Sequence, residues 1–112
     1  MSEAPAVDVA ETRRRLDDGA ALLDVREAAE WAAGHAPEAT WIPLGALDAR
    51  QAELPTEQPL LVICRSGVRS GRAATALRAA GYDATNVAGG MQAWAAAGLT
   101  VTADGDAAGH VI

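Results

Sequence analysis

Cys64 is the only cysteine in the chain, and three of the nine arginines, Arg65, Arg69 and Arg72, follow it within nine positions. The thiolate is the nucleophilic form of cysteine, so a chemically active Cys needs a local field that ionises it. The stretch Cys64-Arg65-Ser66-Gly67-Val68-Arg69-Ser70 can build one. It follows Leu60-Leu61-Val62-Ile63, the strongest strand signal in the chain, and runs into a helical pattern. A strand that ends in a short Gly-containing loop and enters a helix brings several free N–H groups to one point. The helix dipole adds positive potential there. Arg65 and Arg69 contribute full charges, Gly67 permits a tight turn, and Ser70 is expected to cap the helix. This chemistry requires that the sulfur be open to solvent and that amides, not carbonyls, face it.

The rest of the sequence must position that loop. Asp8 with Glu11 resembles a capping box and opens a helix over about 9–18, ended by Gly19. Residues 20–25 form a short apolar run of the kind found in buried parallel strands. A short helix over 27–33 closed by Gly34, a strand over 39–42 stopped by Pro43, and a helical turn within 44–58 follow. Beyond the Cys loop, Ala73, Ala76, Leu77 and Ala80 share one face of a helix ended by Gly81. Residues 84–88 read as a weak last strand, Gly89-Gly90 as a turn, and 91–97 as a final helix closed by Gly98. Residues 1–6 read as a frayed start and 102–112 as a loosely ordered tail, leaving a single domain over 1–101. Strands alternating with helices predict an α/β fold whose parallel sheet is covered on both faces.

Composition removes several classes. A length of 112 residues fits one domain. Half the residues are apolar but 28 of them are Ala and none is Phe, so the core must let helices sit close to their neighbours. A single Cys excludes a disulfide framework. With only His35 and His110 beside it, no structural zinc site is expected. No apolar run approaches the ~20 residues of a membrane span, and residues 1–11 lack the basic and apolar regions of a signal peptide. A net charge of −6 without a basic stripe argues against nucleic acid. The expectation is a cytoplasmic protein without membrane, nucleic acid, metal or cofactor.

Several motifs together resemble the single-domain rhodaneses, a family of sulfurtransferases. Cys64 to Ser70 is similar to the family's active-site loop. Leu23-Asp24-Val25-Arg26-Glu27 resembles its upstream Asp-x-Arg signature, and Glu30-Trp31 with Gly34-His35-x-Pro37 and Ile42-Pro43 its Gly-His-x-Pro stretch. Gly89-Gly90-Met91 with Trp94 and Gly98 resembles its closing element. These matches lie in the right order over about residues 5–101. The resemblance implies a three-layer fold with a five-stranded parallel sheet and helices on both faces. It also implies a two-step relay in which Cys64 takes the outer sulfur of a donor such as thiosulfate, becomes a persulfide, and yields that sulfur to a thiol or thioredoxin-like acceptor. Cys64 and Arg69 would be catalytic, while Arg65, Ser66, Gly67, Val68 and Ser70 would bind the substrate. Four residues separate Cys64 from Arg69, against five in the Cys-dependent phosphatases that share the fold. The shorter loop fits a sulfane sulfur better than a tetrahedral phosphate. The competing reading is a non-catalytic module that binds a protein or senses oxidants through Cys64.

Asp24 and Arg26 flank the end of a buried strand, where parallel sheets place ligands. Asp24 can anchor an Arg or a loop amide, and Arg26 can orient the loop; a structural ion pair is the alternative for both. His35 reads as a turn residue, and Trp31, Trp41 and Trp94 as packing. Arg13-Arg14-Arg15, beside Glu11, Asp17 and Asp18, reads as a solvated helix face.

Overall fold

The computed structural model describes residues 3–112. Its elements in chain order are β1 (Ala6–Val7), α1 (Val9–Asp17), β2 (Ala21–Asp24), α2 (Ala28–Ala33), β3 (Thr40–Trp41) and α3 (Leu44–Arg50). A 3-10 turn (Gln51–Glu53) precedes β4 (Leu60–Ile63), α4 (Val68–Ala79), β5 (Ala84–Val87) and α5 (Gly90–Ala96). The five strands are parallel in the order β1-β5-β4-β2-β3, with β4 at the centre. In register, Leu22 faces Leu61 and Asp24 faces Ile63, so β2 and β4 end together. Among the described residues no helix is long and apolar enough to cross a membrane.

Side chains alternate across a strand, and that alternation divides the core in two. Leu23, Leu60, Val62 and Cys64 point to a layer with Leu47 of α3 and Ala73, Ala74 and Leu77 of α4. Leu22, Leu61 and Ile63 point the other way, onto Met91 and Trp94 of α5, with Leu16 of α1 at the margin. All four β4 residues are buried, as a central parallel strand requires. The expected α/β architecture, five parallel strands between two helical layers, is therefore present.

Three local expectations change. Of the frayed start expected over 1–6, residues 1–2 lie outside the described residues, whereas Ala6 is held in place: Ala6-Val7 pairs with Asn86-Val87 as an edge strand. A two-residue strand has no periodicity to read; its partner defines it. The buried face of α4 is Ser70, Ala73, Ala74 and Leu77, while Ala76 and Ala80 are exposed. In an Ala-rich helix the apolar count barely distinguishes neighbouring faces, and the true stripe includes a serine. The segment expected to be a loose tail is hydrogen-bonded to the body. Thr102 and His35 exchange backbone bonds at 2.9 Å, His110 N–H donates to Ala33 O at 2.9 Å, and Val111 packs on the core. Gly34 admits this strand-like return because a Cβ there would lie 2.5 Å from the His110 backbone.

On α1, Asp8 accepts from the Glu11 amide, but the Glu11 carboxylate does not complete the box; it bonds Arg14 and Arg15 instead. The reciprocal box forms on α2, between Glu27 and Glu30.

Candidate active site

Cys64 lies just past the C-terminal end of β4, where the chain turns into α4. Gly67 caps that helix at φ +105°, a conformation that favours glycine. The turn aims amides at the sulfur: Gly67 N–H donates to Cys64 Sγ at 3.1 Å, and Ser70 Oγ lies 3.2 Å from it. Burial pushes the Cys64 thiol up. The Ser70 hydroxyl and the amides of Ser70, Gly67 and Ser66 outweigh it, so the thiol sits below its ordinary value.

The carbonyls of the loop are drawn off in the opposite direction. Met91 N–H donates to Cys64 O at 2.8 Å and Gln92 N–H to Arg65 O at 3.0 Å. These are amides from the first turn of α5, which have no partner inside their own helix. One helix end thus consumes the loop's acceptors and leaves its donors facing the sulfur. Gly90, at φ +55°, stands where any Cβ would collide with the backbone of Cys64 and Arg65.

The expectation of an open sulfur is not met. Cys64 is 1% exposed and forms the floor of its loop, whereas Ser66 and Val68 stand on the rim. Ser70 also departs from its expected role: it lies inside α4, which Gly67 caps, and its hydroxyl turns to Cys64 and Asn86.

The two loop arginines are engaged. Arg69 makes a two-pronged bond to Glu30 of α2, at 2.7 and 2.9 Å. The Arg69 guanidinium holds the Glu30 carboxyl below its usual range against the opposing effect of burial. Arg65 Nε donates to Ile112 O at 2.9 Å. With the Gln92 amide turned so that its oxygen faces Arg65, Gln92 accepts from Arg65 Nη1 at 2.9 Å as well.

Asp24 and Arg26 pair with each other, not with the Cys loop. Both are fully buried, with Arg26 Nη2 2.8 Å from Asp24 Oδ2 and 2.7 Å from Gly34 O. The pair ties the end of β2 to the end of α2, and Trp41 Nε1 closes over it by donating to Arg26 O at 2.8 Å. Trp31 stacks on His35 with ring centroids 3.5 Å apart and on Trp41 at 5.9 Å. His35 Nδ1 lies 2.8 Å from Trp31 O, which makes it a turn residue. Trp94 is buried and donates to Thr100 O. Arg13, Arg14 and Arg15 form ion pairs with Asp17, Glu38 and Glu11 along the face of α1.

Three residues support the loop in roles the sequence did not assign: Glu30 and Gly90, which it offered only as parts of family signatures, and Asn86, which it did not single out. Asn86 has the same parity as Ala84 on β5, which places it beneath α4, and that parity was readable. Its Nδ2 donates to Gly67 O at 3.0 Å and its Oδ1 lies 2.6 Å from Ser70 Oγ. Beside it, a cavity of about 530 Å³ runs between the loop's outer side, Arg72, Thr75 and the segment at Glu3.

Comparison with known proteins agrees with this arrangement. The model of the rhodanese-like domain matches residues 8–97. A sulfurtransferase of Allochromatium vinosum is 39% identical over 83 residues, covering 73% of this chain and 78% of that protein. The structure of a human single-domain sulfurtransferase superposes with a TM-score of 0.73 at 35% identity, over 83% of this chain and 96% of that one. A rhodanese-related protein of Thermoplasma volcanium gives a TM-score of 0.82 at 28% identity, over 88% and 97%. With a Cys-bearing loop at the head of the central strand and a match across most of its length, the chain belongs to the rhodanese-like domain family.

Proposed function

We propose that the protein moves a sulfane sulfur from a small anionic donor such as thiosulfate to a thiophilic acceptor, with Cys64 as the carrier. The Cys64 thiolate attacks the outer sulfur of thiosulfate, the donor's S–S bond breaks, and sulfite leaves with the electron pair. The product is a Cys64 persulfide whose negative charge sits on the outer sulfur. A thiolate acceptor, from a small thiol or a thioredoxin-like protein, then takes that sulfur and returns Cys64 as thiolate. Covalent capture divides one difficult transfer into two easier ones. The observation that carries this reading is the convergence of donors on Cys64 Sγ while the adjacent carbonyls bond α5. Such an arrangement stabilises the attacking thiolate and the anionic persulfide alike.

Cys64 is 1% exposed, so the requirement of an open sulfur is not met as the loop stands. Transfer requires the exposed rim at Ser66 and Val68 to move aside, and this enclosure favours a donor that presents one slender transferable atom. Its anionic end would meet the rim, where the amides around Ser66, Gly67 and Val68 and the guanidinium groups of Arg65 and Arg69 can receive oxygens. The intact mass after thiosulfate treatment tests the proposal. A gain of one sulfur atom is expected on the natural protein and not on Cys64→Ser. No adduct on the natural protein would leave only a binding or oxidant-sensing role.

Arg69→Ala separates charge from fold. Its side chain is 32% exposed, so the Glu30 pair contributes about 1 kcal/mol or less to stability. Persulfide formation should nevertheless slow about 10²–10³-fold, as when an oxyanion donor is lost. Stopped-flow sulfite release with a parallel urea titration checks both numbers; unchanged release would remove Arg69 from the reaction.

A further inference from the structure

We propose that Asn86 and Ser70 form a one-proton toggle beneath Cys64: the Ser70 hydroxyl serves Asn86 while the sulfur is neutral and turns to the sulfur whenever it is charged. The geometry fixes the parts. Asn86 Nδ2 donates to Gly67 O at 3.0 Å, and a turned amide would set two oxygens against each other there. Asn86 Oδ1 must therefore face Ser70 Oγ, at 2.6 Å, while Ser70 Oγ also lies 3.2 Å from Cys64 Sγ. A hydroxyl carries one hydrogen, and here it has two acceptors. Room for the amide comes from Gly71, where an added Cβ would lie 3.2 Å from Asn86 Nδ2. Of the residues of α4 and its cap beside Asn86, namely Gly67, Ser70 and Gly71, Ser70 alone carries a side-chain donor.

In the thiol state the chain is complete: S–H donates to Ser70 Oγ, and Ser70 O–H donates to Asn86 Oδ1. On ionisation the sulfur's proton leaves to solvent. The Ser70 hydrogen stays on its oxygen but rotates to Sγ, and Asn86 Oδ1 loses its donor. The charged groups around the sulfur are few. Arg69 on α4 is paired with Glu30 of α2, Arg65 is turned to Ile112, and Asp24 and Arg26 beyond β2 close on each other. From β5 and α5 the loop meets Asn86, Gly90, Met91 and Gln92, all neutral.

The consequence for sulfur transfer rests on the persulfide reading above. Forming the persulfide moves the charge from Sγ to the outer sulfur, so Ser70 returns to Asn86. When the acceptor takes the outer sulfur, the S–S bond breaks with its electron pair on Sγ, and Ser70 swings back to meet it. Both half-reactions then use one hydroxyl, and Asn86 is the positioning residue that holds it between them.

Nuclear magnetic resonance of the labelled full chain tests this through two carbons, Cys64 Cβ and Asn86 Cγ, followed across pH. In the natural protein Asn86 Cγ should titrate with the midpoint of Cys64 Cβ. In Ser70→Ala, whose fold the same spectra check, the Cys64 midpoint should rise by roughly one to two pH units, the effect of one hydrogen bond to a charged group. The Asn86 signal should then stay flat. A flat Asn86 signal in the natural protein overturns the toggle. So does an Asn86 signal that follows Cys64 undiminished in Ser70→Ala, because that is the sulfur's field alone. Thiosulfate-loaded protein held above the thiol midpoint should return Asn86 Cγ to its thiol-state position; a loaded protein that keeps the thiolate position overturns the return step. Absence of any adduct on Cys64 would defeat the sulfur-transfer reading, while the titration would still decide the toggle.

Discussion

Gly90→Ala should abolish most of the sulfur-transfer activity and lower the melting temperature together, although residue 90 lies 26 positions from Cys64 in sequence. Two costs combine. An Ala at φ +55° is disfavoured by about 1–2 kcal/mol, and its methyl would sit 2.6 Å from Arg65 C and O and closer still to Cys64 O. Relief requires the α5 turn and the loop to move apart, breaking the bonds from Met91 and Gln92. Overpacking of this kind costs about 1–3 kcal/mol. The sum, about 3 kcal/mol, corresponds to roughly 10–20 °C in a domain of this size. A displacement near 1 Å at the reacting atom costs about 10²-fold in rate. Differential scanning calorimetry and single-turnover sulfite release measure the two effects. A variant that loses stability but keeps its rate would show that α5 does not set the loop.

The second large effect belongs to Asp24 and Arg26. Arg26→Met leaves the Asp24 carboxylate sealed in the core without its partner, and Asp24→Leu strands the guanidinium. Each should cost about 3–5 kcal/mol, a large share of the ~5–15 kcal/mol that holds a domain together. The double replacement Asp24→Leu with Arg26→Met should recover much of the loss, because an apolar pair of similar volume removes two desolvation costs at once. One atom makes recovery more favourable here: Arg26 Nη1 is buried with no hydrogen-bond partner among the described residues. Urea titration of the three variants decides it. If the double variant is as unstable as the sum of the singles, the pair is not behaving as a closed unit. Neither residue bonds the Cys loop, so the double variant tests the expected loop-orienting role of Arg26 as well.

What could be read from the sequence was what is local. Leu60–Ile63 carries four adjacent β-formers between Pro59 and a Gly-containing loop, and it is a strand over those residues. The anion-cradle geometry followed from strand, loop and helix in succession, a chain-local pattern. The loop-supporting roles of Asn86, Gly90 and Glu30 are not local, because their partners are far along the chain: Gly67, the backbone of Cys64 and Arg65, and Arg69. Gly89-Gly90 reads as a turn from composition alone; only the meeting of α5 with the loop shows why residue 90 tolerates no side chain. Likewise, nothing in the composition of 102–112 announces the backbone bonds to Ala33 and His35, which satisfy groups presented by another part of the fold. The rotated stripe of α4 has a different origin. Alanines on several sides leave burial to be decided by what lies beneath, here Asn86 under Ser70.

The recessed sulfur also bears on damage. A cysteine held as thiolate is ordinarily the first to be driven by peroxide through sulfenic acid to irreversible sulfinic and sulfonic acids, and that susceptibility grows with accessibility. With Cys64 1% exposed, the loop whose donors hold its thiol below the ordinary value also keeps the sulfur from the ready access that favours oxidation. On the proposed reading, the enclosure that would narrow the choice of donor would also protect the sulfur between turnovers.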